Sequence, residues 1–135
     1  MQQQDYCRGG NIAKVTGLLH RMGVPAHLKG YYYLRSAIMI SLQENNMVSS
    51  VTKLLYPKIA KEYFTTEQKV ERGIRNAIEV AWKHGSPDFF EEEFGYSNVS
   101  GSDRPSNSEC IARVVDHIRM EKMLEEEMLE EELPV

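Results

Sequence analysis

A chain of 135 residues with 41% hydrophobic and 27% charged side chains has the size and composition of one globular domain. No apolar run approaches the roughly 20 residues that a bilayer span requires, and Met-Gln-Gln-Gln-Asp at the start lacks the basic and apolar stretches of a secretory signal. The net charge of −4 excludes a uniformly basic surface, but residues 121–135 hold seven acids and one base, leaving residues 1–120 at +2 and residues 47–85 at +3.

Apolar spacing is helical nearly throughout, so the expected class is all-α. Residues 1–11 read as a flexible N-terminal segment, residues 12–120 as a helical domain, and residues 121–135 as an acidic tail. Ile12, Val15, Leu18, Leu19 and Met22 form a first amphipathic stripe, stopped by Gly23 and Pro25. A second helix carries Tyr31, Leu34, Ala37, Ile38 and Leu42 and breaks at Glu44, Asn45 and Asn46. Val48, Val51, Leu54 and Leu55 follow, and Pro57 then opens a short helix or a kinked continuation to Tyr63.

Phe64, Thr65 and Thr66 form the next turn. Thr65 with Gln68 makes one capping box and Thr66 is the alternative cap one position later, so a helix is expected over 66–83, stopped by Gly85 and Pro87. Asp88 to Tyr96 is an acidic, aromatic piece of one or two helical turns, and Ser97 to Asn107 is a polar loop. Ser106 with Glu109 opens a last helix carrying Ile111, Val114, Val115 and Ile118, which dissolves beyond Met123 into a frayed helix or a disordered tail.

Cys7 and Cys110 lie far apart with no Cys-x-x-Cys spacing, which fits bland thiols in a reduced, cytoplasmic setting. His20, His27, His84 and His117 are scattered, there is no Gly-x-Ser-x-Gly elbow and no Gly-rich phosphate loop, so no catalytic, cofactor or metal site is expected. The glutamate runs read as solvated faces.

The informative segment is Pro57 to Trp82, because a short helix, a three-residue turn and a longer capped helix is the layout of a helix-turn-helix. On a wheel of about 100° per residue, Val70, Ile74, Ala77 and Ala81 face one way and Gln68, Arg72, Arg75 and Glu79 the other, with Glu71 and Asn76 at the flanks. Gln, Glu, Arg and Asn are the side chains that read base edges in a major groove. The competing reading is an amphipathic helix with a merely solvated polar face, in which Glu71 and Arg75 make an ordinary i,i+4 pair. Gly73 lowers helix propensity by about 1 kcal/mol relative to alanine.

The strings Gly23-Val-Pro-Ala-His-Leu-Lys-Gly30, Leu54-Leu-Tyr-Pro-Lys-Ile-Ala-Lys61, Val70-Glu-Arg-Gly-Ile-Arg-Asn-Ala-Ile-Glu-Val-Ala-Trp82, Phe94-Gly-Tyr96 and Pro105-Ser-Asn-Ser-Glu109 resemble the C-terminal effector domain of the stage zero sporulation protein A family, from about Ile12 to Met120. The resemblance implies a six-helix DNA-binding domain and a guanine- and cytosine-containing element in an A/T-rich setting, bound by tandem head-to-tail copies. It implies base reading by Glu71, Arg72 and Arg75, and a contact of the Ser86 to Phe94 block with the housekeeping sigma factor of RNA polymerase. Asp88, Phe89, Glu91 and Glu92 are the candidates for that contact. Thr65, Thr66, Gln68, Lys69, Asn76 and Arg104 are the candidates for backbone or flanking contacts.

Gly73 stands where the family usually has alanine, and Ser102 and Asp103 stand in a loop that is usually more basic. Members carry a phosphorylatable receiver domain ahead of this one, so the sequence fits either an excised domain or a stand-alone protein without that control. The expectation is a cytoplasmic bacterial transcription factor for double-stranded DNA, with no membrane association. The alternative, favoured by the acidic tail and the thinned basic loop, is an interaction module that acts on a sporulation regulator or polymerase without reading DNA.

Overall fold

The computed structural model describes the backbone of residues 3–132 and the side chains of residues 10–132. Among these, six α-helices and three short helical turns make up the regular structure, with no strand. They are α1 (Gln3–Met22), α2 (Lys29–Gln43), α3 (Tyr56–Glu62), α4 (Glu67–His84), α5 (Pro87–Phe94) and α6 (Asn107–Glu132). The all-α class expected from the spacing and the six helices implied by the resemblance are therefore both found.

Each boundary has a local cause. α1 ends in a Schellman arrangement at Gly23, whose φ is +96°. The Val24 amide reaches the Leu19 carbonyl at 3.0 Å and the Gly23 amide the His20 carbonyl at 3.1 Å. Before α3, the Tyr56 amide donates to the Val51 carbonyl in a widened π turn, adjoining Pro57, which has no amide hydrogen to give. The segment is thus a kinked continuation rather than a separate helix. The Thr66, Ser86 and Ser106 hydroxyls accept from the Lys69, Phe89 and Glu109 amides at 3.1–3.2 Å and cap α4, α5 and α6. Of the two threonines, Thr66 is the cap.

Helix ends differ from expectation at both termini. α1 starts at Gln3 rather than near Ile12, so residues 3–11 are helical and belong to the same element as the core-packing turns; Met1 and Gln2 lie outside the described residues. α6 runs on to Glu132 as one helix, and residues 133–135 lie outside the description. The boundary expected at residue 120 is therefore not an end of structure. Gln3 to Gly10 carries no regular apolar stripe, and Met123, Leu124, Met128 and Leu129, each more than half exposed, are broken up by two Glu triplets.

One core holds Leu19, Leu34, Ile38, Leu55, Ile59, Ile74, Ile78, Phe90, Ile111 and Ile118, all with essentially no exposure. Ile12 and Leu54, expected on apolar faces, are 40% exposed. Cys110 is fully buried, and burial pushes its thiol up to about 12; the Cys7 side chain lies outside the described ones.

Two glycine contacts set the packing of α4. A Cβ on Gly30 would lie 1.9 Å from the Gly73 carbonyl oxygen, and one on Gly85 would lie 2.3 Å from the Met22 carbonyl oxygen. Gly73 presents its carbonyl to Gly30, and its own packing reason inside a helix, where propensity alone argues against it, is the Tyr33 ring of α2. A Cβ on Gly73 itself would meet the Tyr33 ring at 2.8 Å.

Gly30→Ala is expected to lower unfolding free energy by about 3 kcal/mol or more, because backbone must move to admit the methyl group. Gly17→Ala, exposed and with nothing within 4 Å of its Cβ position, is expected to raise it by about 0.5–1 kcal/mol. Urea titrations of both variants check the pair. Cys110 leaves stability unaffected well below pH 9 and erodes it as pH rises from 9 toward 12, since the unfolded thiol ionises there and the folded one does not. In a Cys7→Ser background the folded protein should leave a thiol reagent unreacted until denaturant is added.

Candidate nucleic-acid interface

α3, the turn Tyr63 to Thr66 and α4 form a helix-turn-helix whose interior is apolar and whose outer face is polar. Ile59 and Ala60 of α3 pack with Val70, Ile74 and Ala77 of α4, all buried. The turn is closed by the Tyr63 amide on the Ile59 carbonyl at 3.0 Å and the Thr65 amide on the Ala60 carbonyl at 2.9 Å. The capped N-terminus of α4 then emerges with Glu67, Gln68 and Lys69 in solvent.

With Val70, Ile74 and Ala77 turned inward, the helical period puts Gln68, Lys69, Arg72, Arg75 and Asn76 in solvent. Glu71 is half-buried at the edge of this face, and its carboxylate lies 3.6 Å from the Arg75 guanidinium. Such an exposed i,i+4 pair contributes only a few tenths of a kcal/mol to folding, so both groups can exchange partners at little cost. Among the described residues, Arg72 and Lys69 have no carboxylate within 4 Å.

Of the flanking candidates, Thr66 holds the helix cap and Thr65 is half-buried in the turn. Arg104 reaches α4 from the loop before α6. It is half-buried, donates to the Pro105 carbonyl at 3.1 Å, and lines a polar cleft with Glu79, Lys83 and Asp103. The Glu79 carboxyl is held below its usual range by the hydrogen bond from Lys83, 3.1 Å away, with smaller contributions from Lys83 charge, Arg104 and Arg75. Glu79 thus lies on a mixed-charge stretch a full turn beyond Arg75.

The acidic block is spatially separate. α5 follows the C-terminal end of α4, about 20 Å along the helix from Arg72. Asp88, Glu91 and Glu92 are exposed there. Glu91 accepts from the Ser97 hydroxyl at 3.0 Å, and Glu92 lies 3.7 Å from Arg21. Phe89, placed with these acids as a surface contact, is 3% exposed and lies under the Arg21 guanidinium at 5.6 Å. Its burial has a simple cause: Phe89 and Phe90 together seal the end of the core against Trp82, whose ring stands 5.0 Å from that of Phe90.

Asn107 is a residue that the sequence reading passed over. Its side-chain amide donates to the Tyr56 hydroxyl at 2.9 Å and to the Glu71 carbonyl at 3.1 Å, and the residue is 8% exposed. One side chain at the start of α6 therefore ties α3 to the first turns of α4. The sequence offered only its place after the Ser106 cap, which does not reveal a long-range partner. Burial raises the Tyr56 phenol above its ordinary value, and the Asn107 hydrogen bond works against that rise. Asn107→Ala is expected to cost about 1–3 kcal/mol in a denaturation experiment and to move the Tyr56 titration higher still, as followed by ring NMR signals.

No helix among the described residues is long and apolar enough to cross a membrane, and none of their acidic, histidine or cysteine side chains group as a metal site. A model of the family described as sporulation initiation factor Spo0A C terminal matches residues 15–118, a span that includes α2 to α5, the last two turns of α1 and the packed part of α6. With that match over most of its length and a helix-turn-helix presenting arginine and amide side chains to solvent, the chain belongs to the Spo0A C-terminal family of sporulation-related, DNA-binding transcription-factor domains.

Proposed function

We propose that this protein is a cytoplasmic transcription factor that reads duplex DNA sequence with the N-terminal half of α4 in the major groove. Arg72 and Arg75 donate to guanine O6 and N7, and Glu71 accepts from cytosine N4. Thr65, Thr66, Gln68, Lys69 and Asn76 hold phosphates or flanking base edges, and Arg104 approaches the backbone from the α6 side. Copies bind in tandem, head to tail. The observation that carries this reading is the exposed Gln68, Lys69, Arg72, Arg75 and Asn76 face on a helix whose opposite face is locked in the core.

On the same reading, the acids of α5 form the contact with the sigma factor of RNA polymerase. Asp88, Glu91 and Glu92 offer charge to a basic surface, while Phe89, being buried, acts from beneath by holding the helix in place.

A second reading is supported by the mixed charge around Arg104: a module that works by protein contacts and keeps only residual electrostatic affinity for DNA. Binding to the family's element and to shuffled duplex across a salt series separates the two. A sequence reader keeps a large preference as salt rises, whereas residual electrostatics gives weak and steeply salt-dependent binding to both duplexes. Arg72→Ala is expected to cost about 1–3 kcal/mol on the element and to relax base preference at one position; unchanged affinity and preference would remove Arg72 from the reading set. Changing Asp88, Glu91 and Glu92 to lysine is expected to reduce promoter activation in a reconstituted transcription assay and to leave duplex affinity at the element no lower.

A further inference from the structure

Phe64, at the tip of the helix-turn-helix turn, is 97% exposed and has a φ of 53°, the only non-glycine φ in the left-handed region among the described residues. A side chain with a Cβ is disfavoured there by roughly 1–2 kcal/mol, and exposing a whole phenyl ring to water adds a second unfavourable feature. The turn is not loose enough to hide the ring. Its amides are bound to Ile59 and Ala60, and the neighbouring Tyr63 is braced on α2, with its ring 5.3 Å from that of Tyr33 and its hydroxyl 2.8 Å from the Ser36 hydroxyl. The ring is therefore held outward by a rigid support.

Phe64 stands on an open cleft of about 730 Å³ between the start of α2 and the start of α4. Tyr32 and Tyr63 supply more aromatic surface, and Lys29, Lys69 and Arg72 supply positive charge. Tyr32 is 42% exposed, and the Arg35 guanidinium lies 5.3 Å from its ring centroid, fixing the ring from the side. Exposed rings side by side with cations suit one DNA strand, whose deoxyribose faces are apolar and whose phosphates are anionic. The cleft also runs directly into the outer face of α4, since Lys69 and Arg72 belong to both.

We propose that this cleft is a second contact with DNA, seating one sugar–phosphate strand at the edge of the groove that α4 enters. Phe64 lies on the apolar face of a deoxyribose, and Lys29 and Lys69 pair with the phosphates beside it. The inference rests on DNA reading by α4 and extends the contact to α2 and to the turn.

Phe64→Asn tests it, because asparagine accepts the left-handed backbone and a ring so exposed leaves no packing behind. Duplex affinity is measured by fluorescence anisotropy over a salt series on the family's element and on shuffled duplex, with thermal unfolding alongside. Phe64→Asn is expected to keep or raise Tm while weakening both duplexes roughly tenfold, leaving the preference between them intact because strand contacts carry no base information. Lys29→Gln is expected to lower the log–log salt slope by about 1. Wild-type affinity in Phe64→Asn, an unchanged slope in Lys29→Gln, or a lowered Tm in Phe64→Asn each overturns the strand contact. If the unaltered chain still prefers the element and Arg72→Ala reduces that preference, the reading by α4 stands without the cleft; if the unaltered chain shows no preference, both fall.

Discussion

Backbone-to-backbone contact at two glycine pairs fixes α4, and with it everything the protein presents to a ligand. At Gly30 and Gly73, α2 and α4 cross with no room for a methyl group between them. Twelve residues on, about 18 Å along the axis, Gly85 rests on the corner where α1 gives way to α2, beside the left-handed Gly23. A helix held at two such points is not free to turn about its own axis. A slip of one residue would rotate it by about 100° and exchange Arg72 for a core position. The apolar side chains between the two contacts supply most of the burial energy, but the contacts decide which face is buried.

The remaining architecture serves the same end from other directions. α3 is delivered to α4 through a turn whose Tyr63, Phe64 and Thr65 amides are engaged, and Asn107 closes the assembly from α6 by bonding both helices at once. The polar groups of the outer face take almost no part in this. The Glu71–Arg75 pair is loose and solvent-screened, so the fold and the outer face are built from separate sets of residues. That separation permits the outer face to vary without unfolding the domain.

Much of this was legible in the sequence, and the exceptions have identifiable causes. The all-α class, the Schellman stop at Gly23, the Ser106 cap and the inward set Val70, Ile74, Ala77 and Ala81 all follow from local rules that depend only on near neighbours in the chain. The start of α1 and the far end of α6 did not, because Gln3 to Gly10 has no regular apolar stripe and the exposed Met123, Leu124, Met128 and Leu129 are broken up by two Glu triplets. Phe89 was assigned with the acids around it, although in a helix of eight residues two adjacent phenylalanines can both reach the core when a tryptophan lies beneath. Gly30 and Asn107 depend on partners 43 and 36 positions away, and a single sequence carries no sign of such pairings. Gly73 was visible as an anomaly in a helix, but its explanation lies in another helix.

α6 also distributes charge over the molecule. Its first residue binds the Glu71 carbonyl and the Tyr56 hydroxyl, Arg119 reaches the Ser41 carbonyl at the far end of α2, and Lys122 reaches Asn11 on α1. The rod therefore begins beside α4 and carries its seven terminal glutamates about 20–37 Å away, two or more screening lengths at moderate salt. The protein is consequently an electric dipole, with a positive pole around α3 and α4 and a negative pole at the end of α6. Near any polyanion such a body experiences a torque as well as a net repulsion. It is turned so that the positive pole leads, and misoriented collisions are rejected before contact. The acidic extension thus acts as the feathered end of an arrow, setting the orientation of approach while staying clear of what the tip touches.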